Sequence, residues 1–277
     1  VSADTGSDTG STAPPDGSVT AVRDGAVLRI TLDRPQRRNS LSRPMVDSLV
    51  RLLTDAATDD TLRAIGITGA GGHFCTGADW VSTNAGGQRP RSGDLVRRIP
   101  LTANRAIELV TTIHLPVVCT VRGWAVGLGA NLALAADFTF ADTGATFWEP
   151  FLDRGFSPDS GASWLLPRLA GVARARRMLL LGEKVSGTEA AEWGLIHAAA
   201  SAGDLDDQAD ALLTRLAGGP TVALGLAKQA LAYGAHATLA QTMAQELSNL
   251  ELSCRTGDFK EGLAAFTQRR PPDFQGR

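Results

Sequence analysis

Two glycine-rich turns constrain this chain more than any other feature. The first runs Gly69-Ala70-Gly71-Gly72-His73-Phe74-Cys75-Thr76-Gly77-Ala78-Asp79, and the second Gly123-Trp124-Ala125-Val126-Gly127-Leu128-Gly129-Ala130-Asn131. A short β-branched run precedes each one, Ile65–Thr68 and Val117–Val121, and a segment of helical spacing follows. A strand that turns directly into a helix leaves backbone N–H groups unpaired at the helix start, where the helix dipole also favours negative charge. Two such turns brought together can hold one carbonyl oxygen while it becomes an oxyanion. One glycine turn alone signals only a tight connection; the repetition of the same context about fifty residues later carries the argument. Phosphate-binding loops are a poor match, because neither turn ends in Gly-Lys-Ser/Thr and Gly127-x-Gly129 lacks the third glycine of a dinucleotide fingerprint.

Around these turns the chain reads as alternating strands and helices. Residues 27–32 alternate with period two, and Met45, Leu49, Leu52, Leu53 and Ala56 mark a helix with Pro44 in its first turn. Ala64–Thr68 and Val117–Val121 read as strands, Ala103–Ile113 as an amphipathic helix stopped by Pro116, Leu132–Ala136 as a buried helix and Phe138–Phe140 as the start of another strand. This order implies an α/β core. After about residue 203 only helical spacing remains, over 204–216, 222–233, 239–254 and 259–269. Leu239, Met243, Leu247, Leu250 and Cys254 form an apolar stripe that packs either on a neighbouring subunit or on the chain's own core.

Composition narrows the function classes. With 277 residues, 43% of them apolar, the chain can bury a sizeable core, and a net charge of −2 offers no basic field for nucleic acid. Three scattered cysteines and four isolated histidines lack metal-ligand spacing, so no metal is expected and a reducing, cytoplasmic setting is. No Gly-x-Ser-x-Gly elbow is present, and no apolar run reaches membrane-spanning length. Residues 1–18 are small and polar and read as a disordered tail.

From about Val19 to the C-terminus the chain resembles the crotonase superfamily of enoyl-CoA hydratases and isomerases. The resemblance rests on Leu32-Asp33-Arg34-Pro35 through Asn39-Ser40-Leu41, on Phe74–Asp79, on Gly123–Gly129, on Ala135-Ala136-Asp137, on Ser157–Gly171 and on Trp193-Gly194-Leu195-Ile196. It implies a spiral of repeated ββα units over residues 19–203, followed by a C-terminal helical region, 204–277, that assembles a homotrimer or a dimer of trimers. It also implies a coenzyme A thioester as ligand, with coenzyme A entering as part of the substrate and no separate cofactor. The oxyanion donors would be the backbone N–H groups of Ala78 and Leu128. Thr76, Gly77, Asp79, Gly127 and Phe151 would contact the substrate, and Arg37, Arg38 and Arg269 would reach the nucleotide phosphates.

Two positions depart from the pattern. Hydratases of the superfamily carry a glutamate where this chain has Asn131, and another where it has Phe151. Asn131 can orient a group but cannot take a proton, and it can equally be a polar residue satisfied near a helix start. A shift of alignment would bring Glu149 into the site, although Pro150 restricts the backbone there. Isomerases of the superfamily place a catalytic aspartate where this chain has Asp159. Alternatively, Ser157 caps a helix, Pro158 is its first residue, and Asp159 merely favours the dipole. One carboxylate suffices to move a double bond, so the pattern favours an enoyl-CoA isomerase. A hydratase, an aspartate-nucleophile hydrolase or dehalogenase, and a non-catalytic acyl-CoA binder remain as alternatives.

Overall fold

A computed structural model describes residues 17–79 and 92–277 of the chain. The expected tail lies outside the described residues except for Gly17 and Ser18, and Ser18 already opens the first strand. That strand, β1 (Ser18–Asp24), pairs antiparallel with β2 (Val27–Asp33). From β2 onward the main sheet is parallel, running through β3 (Ala64–Gly69), β4 (Val117–Val121), β6 (Phe138–Asp142) and β9 (Ala198–Ala200) in the order β1-β2-β3-β4-β6-β9. A second, smaller sheet contains β5 (Trp124–Val126), β7 (Thr146–Trp148) and β8 (Val185–Ser186), with β7 in the middle.

Residues 75–78 extend the second layer. Cys75 bridges Ala125 and Ala78 bridges Leu41, both in parallel. A long strand of the main sheet thus passes to a short strand of the second layer and then to a helix. The unit β4–β5–α4, with α4 at Leu128–Leu134, shows it most clearly. This is the repeated ββα spiral expected from the sequence.

Strand alternation explains where the core sits. Ile30, Leu32, Ile65, Ile67, Val117, Cys119 and Val121 point into the large core, which α1 (Arg43–Ala56) covers with Met45, Val46, Leu49 and Leu53. The intervening residues Val27, Ala64 and Val118 face the other way, onto Leu205, Ala209, Leu213 and Leu216 of α8 (Leu205–Ala217). β4 is buried along its whole length, as a central parallel strand covered on both faces must be.

The C-terminal helices α9 (Thr221–Gly234), α10 (Leu239–Ser253) and α11 (Gly257–Gln268) follow. Lys228 of α9 ties this end to the core: its Nζ donates to the carbonyls of Val110 and Leu115 and to Asp137 Oδ2 at 2.7 Å. The apolar stripe of α10 does not pack on that core. Leu239 is 75% exposed and Leu247 68%, and on α11 Phe266 reaches 86%. No helix among the described residues is long and apolar enough to cross a membrane.

Candidate active site

The first glycine turn leaves β3 at Gly69 and is braced from inside by Asn39. The Asn39 amide Nδ2 donates to the carbonyls of Ala70 (2.9 Å) and His73 (2.7 Å), and its Oδ1 accepts the Arg34 backbone N–H at 2.8 Å. Leu41 then pairs with the end of the turn, donating to the Gly77 carbonyl and accepting from the Asp79 N–H. A buried ion pair closes the frame, Arg34 Nη1 to Asp79 Oδ2 at 2.7 Å. Gly77 is required on two counts. Its φ is +88°, and a Cβ there would lie 2.7 Å from the Val126 carbonyl oxygen.

The second turn leaves β5 through Gly127, whose φ of 52° and ψ of −121° suit glycine alone. Its N–H donates to the Trp148 carbonyl at 2.9 Å, and Leu128 follows as the first residue of α4. The two turns abut. A Cβ on Gly77 would lie 3.6 Å from the Leu128 nitrogen, and one on Gly129 only 2.4 Å from the Cys75 carbonyl oxygen. Among the described residues, neither the Ala78 nor the Leu128 N–H donates to another backbone group. Both residues line one cleft.

That cleft offers about 140 Å³ of room. Of the expected site residues, Thr76, Gly77, Ala78, Asp79, Gly127, Leu128, Phe151 and Asp159 all line it. Phe151 forms an apolar wall with Phe156, their rings edge-to-face with centroids 5.6 Å apart. Asp79 reaches the cleft wall while engaged by Arg34. Arg37 and Arg38 are exposed beyond the cleft lining, and the Arg38 carbonyl holds the Thr76 N–H. Arg269, in the left-handed cap of α11, is not among the residues lining the cleft of its own chain.

Asp159 lines the cleft as well, close in sequence to Phe151 and Phe156. The structure corrects the reading of this segment as the start of a helix: residues 156–159 carry no regular structure, and α5 (Ala162–Leu169) begins three residues later. The cause is local, since Ser160 (φ 52°) and Gly161 (φ 84°) are consecutive left-handed residues that no helix accommodates. Asp159 is therefore not a first-turn residue. Ser160 Oγ donates to Asp159 Oδ1 at 2.5 Å. Burial raises the Asp159 pKa from its ordinary value, and the Ser160 hydroxyl pulls it partly back.

Asn131 and Glu149 do not line the cleft. Both are 0% exposed, and among the described residues none of their side-chain oxygens or nitrogens has a hydrogen-bond partner. The reading of Asn131 as a polar residue satisfied near a helix start is thereby corrected, because α4 uses the Asn131 backbone and leaves its amide unpaired. Sequence reasoning missed Ser160, whose role follows from a left-handed backbone that its residue type does not announce. It also missed Arg43, Arg98 and Arg154 in the cleft wall, which come from three separate elements. Arg34 and Asn39 were visible as motif residues, but their bracing of the first turn was not.

Comparison with known proteins places the fold and the family. A family model described as enoyl-CoA hydratase/isomerase matches residues 23–277. The chain is 38% identical over 251 residues to 1,2-epoxyphenylacetyl-CoA isomerase of Escherichia coli (strain K12), covering 91% of this chain and 95% of that protein. It is 33% identical over 255 residues to 2,3-dehydroadipyl-CoA hydratase of the same organism, covering 92% and 97%. The crystal structure of an enoyl-CoA hydratase from Polaromonas sp. JS666 superposes with a TM-score of 0.87 at 30% identity, covering 94% of this chain and 100% of that one.

Proposed function

The chain belongs to the enoyl-CoA hydratase/isomerase family, and on that premise we propose that it moves a double bond in a coenzyme A thioester, converting 3-enoyl-CoA to 2-enoyl-CoA, with Asp159 as the proton carrier. One observation carries this reading. Among the described residues, Asp159 is the one carboxyl lining the cleft that no ion pair engages, while the positions where hydratases keep glutamates hold a shut-in amide, Asn131, and an apolar wall, Phe151.

In this reaction the thioester oxygen accepts hydrogen bonds from the Ala78 and Leu128 N–H groups. Asp159 takes a proton from C2, the C–H electrons move into the conjugated system, and the negative charge settles on the thioester oxygen as a dienolate. The same carboxyl, now neutral, returns the proton at C4. The C2–C3 double bond forms, and the site ends as it began. No water is consumed, so a second carboxyl in the cleft is not needed. The raised pKa of Asp159 suits the task, because a more basic carboxylate accepts a carbon-bound proton more readily.

Thr76, Gly77, Gly127 and Phe151 would then contact the substrate, while Arg37, Arg38 and Arg269 are suited to the coenzyme A phosphates. Arg269 would serve a neighbouring subunit of a trimer built through the exposed faces of α10 and α11. Assays of 3-enoyl-CoA and 2-enoyl-CoA side by side test the reading. Isomerisation should outpace hydration. Faster hydration would favour the hydratase alternative, and tight acyl-CoA binding without turnover would favour a non-catalytic binder.

A further inference from the structure

Asp159 has a neighbour that the isomerisation leaves unused. Glu149 follows directly on β7, where the Trp148 carbonyl accepts the Gly127 N–H at 2.9 Å, so it leaves the sheet beside the start of α4. Asn131 lies one turn into that helix, with its own N–H on the Gly127 carbonyl. The two side chains thus flank the second oxyanion turn, both fully buried and both without a partner. Asp159 is near enough to act on Glu149 electrostatically. An unpaired carboxyl in a protein interior costs stability that an apolar side chain of similar size would not. Such groups concentrate where function requires them.

Resting on the isomerase reading above, we propose that Glu149 is a positioning residue acting through Asp159: the two carboxyls carry one negative charge between them, Glu149 keeps the proton, and a second charge shuts the site down. The division follows from the surroundings. Asp159 opens to the cleft and receives the Ser160 hydroxyl at 2.5 Å, which favours its ionised form. Glu149 has no donor and no exposure, so burial and the Asp159 carboxylate both hold its proton on.

The other charged groups in the neighbourhood do not substitute for this pairing. Arg43, Arg98, Arg154 and Asp79 line the cleft, with Arg98 engaged by Asp94 and Asp79 by Arg34. Lys184 lies over the Trp148 ring, and the buried Cys75 thiol is pushed up to about 12. Ionising Glu149 would put a second negative charge where the dienolate charge must develop, and like charges in a dry site raise that barrier steeply.

The test is the pH dependence of kcat/KM for the wild type and Glu149→Gln. The wild type should give a bell, with an acid limb from Asp159 and an alkaline limb from Glu149 that falls roughly tenfold per pH unit. Glu149→Gln should keep the acid limb and lose the alkaline one, so that beyond the limb the variant outruns the wild type by about tenfold or more. A defect in folding can only slow the enzyme, so a gain separates the two explanations. A second readout needs no turnover. The folded protein holds a proton on Glu149 that the unfolded chain releases above the ordinary value of 4.5, so stability is lost as pH rises through that window toward the folded-state ionisation. The Tm of the wild type should therefore fall with rising pH more steeply than that of Glu149→Gln or Glu149→Leu. An alkaline limb that survives in Glu149→Gln, or equal Tm slopes, would overturn the inference while leaving the isomerase reading intact. A wild type that moves no double bond would overturn that reading first and this one with it.

Discussion

Replacing Gly129 by alanine probes the contact between the two turns that carry the proposed oxyanion donors. A methyl at Gly129 would meet the Cys75 carbonyl oxygen at 2.4 Å, its Cβ at 2.7 Å and its Sγ at 2.8 Å. Neither side yields easily, because Cys75 is held through both backbone groups, to the Trp124 carbonyl and the Val126 N–H, each at 2.9 Å. Relief of the clash requires α4 and the 75–78 segment to separate by about 1 Å, given that carbon contacts are comfortable near 3.5 Å. Gly129 adjoins Leu128 and Cys75 lies three residues before Ala78, so the two N–H donors move apart with them. Overpacking costs about 1–3 kcal/mol, and the better helix propensity of alanine returns about 1 kcal/mol. The net change corresponds to a Tm loss of roughly 0–8 °C for a chain of this size. Catalysis should suffer far more, since losing one oxyanion donor slows turnover roughly 100- to 1,000-fold. The assay is 3-enoyl-CoA isomerisation alongside thermal melting of Gly129→Ala, with circular dichroism to show that the fold persists. Wild-type kcat in a variant whose Tm has moved would refute the argument that this contact sets the donor geometry.

Two further outcomes follow from the same structure. Asp79→Ala strips the buried Arg34 guanidinium of its carboxylate and should destabilise the protein by about 3 kcal/mol, a Tm loss of roughly 6–12 °C; pairing it with Arg34→Met should recover most of that loss, and thermal melts of the three variants decide. The exposed stripe of Leu239, Met243, Leu247 and Leu250 should hold the chain in a trimer or a dimer of trimers at micromolar concentration; a stable 29.0 kDa monomer in sedimentation equilibrium would contradict this.

Much of this architecture is legible in the sequence because its burial is periodic. β2, β3, β4 and α1 each bury one face or both, and their residue spacing displays it. β1 escapes such reading. Only Val19 is buried in that strand, which is defined by its pairing with β2 rather than by any alternation of its own. β5, β7 and β8 span three residues or fewer, too short for a period to appear. The segment from Ser157 to Ser160 looks like a helix start by residue type, yet two left-handed residues in succession postpone the helix to Ala162. At the site, the two turns and Asp159 were readable as motif and resemblance. The burial of Asn131 and Glu149 was not, because nothing local marks a polar residue that the fold will shut away.

If Asp159 moves the proton while Ala78 and Leu128 hold the oxygen, Asp159→Asn must lose turnover without losing the ligand. Asparagine keeps the size and most hydrogen bonding of aspartate but cannot take up a proton at C2. Single-turnover rates with 3-enoyl-CoA, measured together with acyl-CoA affinity by calorimetry, separate chemistry from binding. The rate should fall by on the order of a hundredfold or more at nearly unchanged affinity. Isomerisation by Asp159→Asn at the wild-type rate would contradict it.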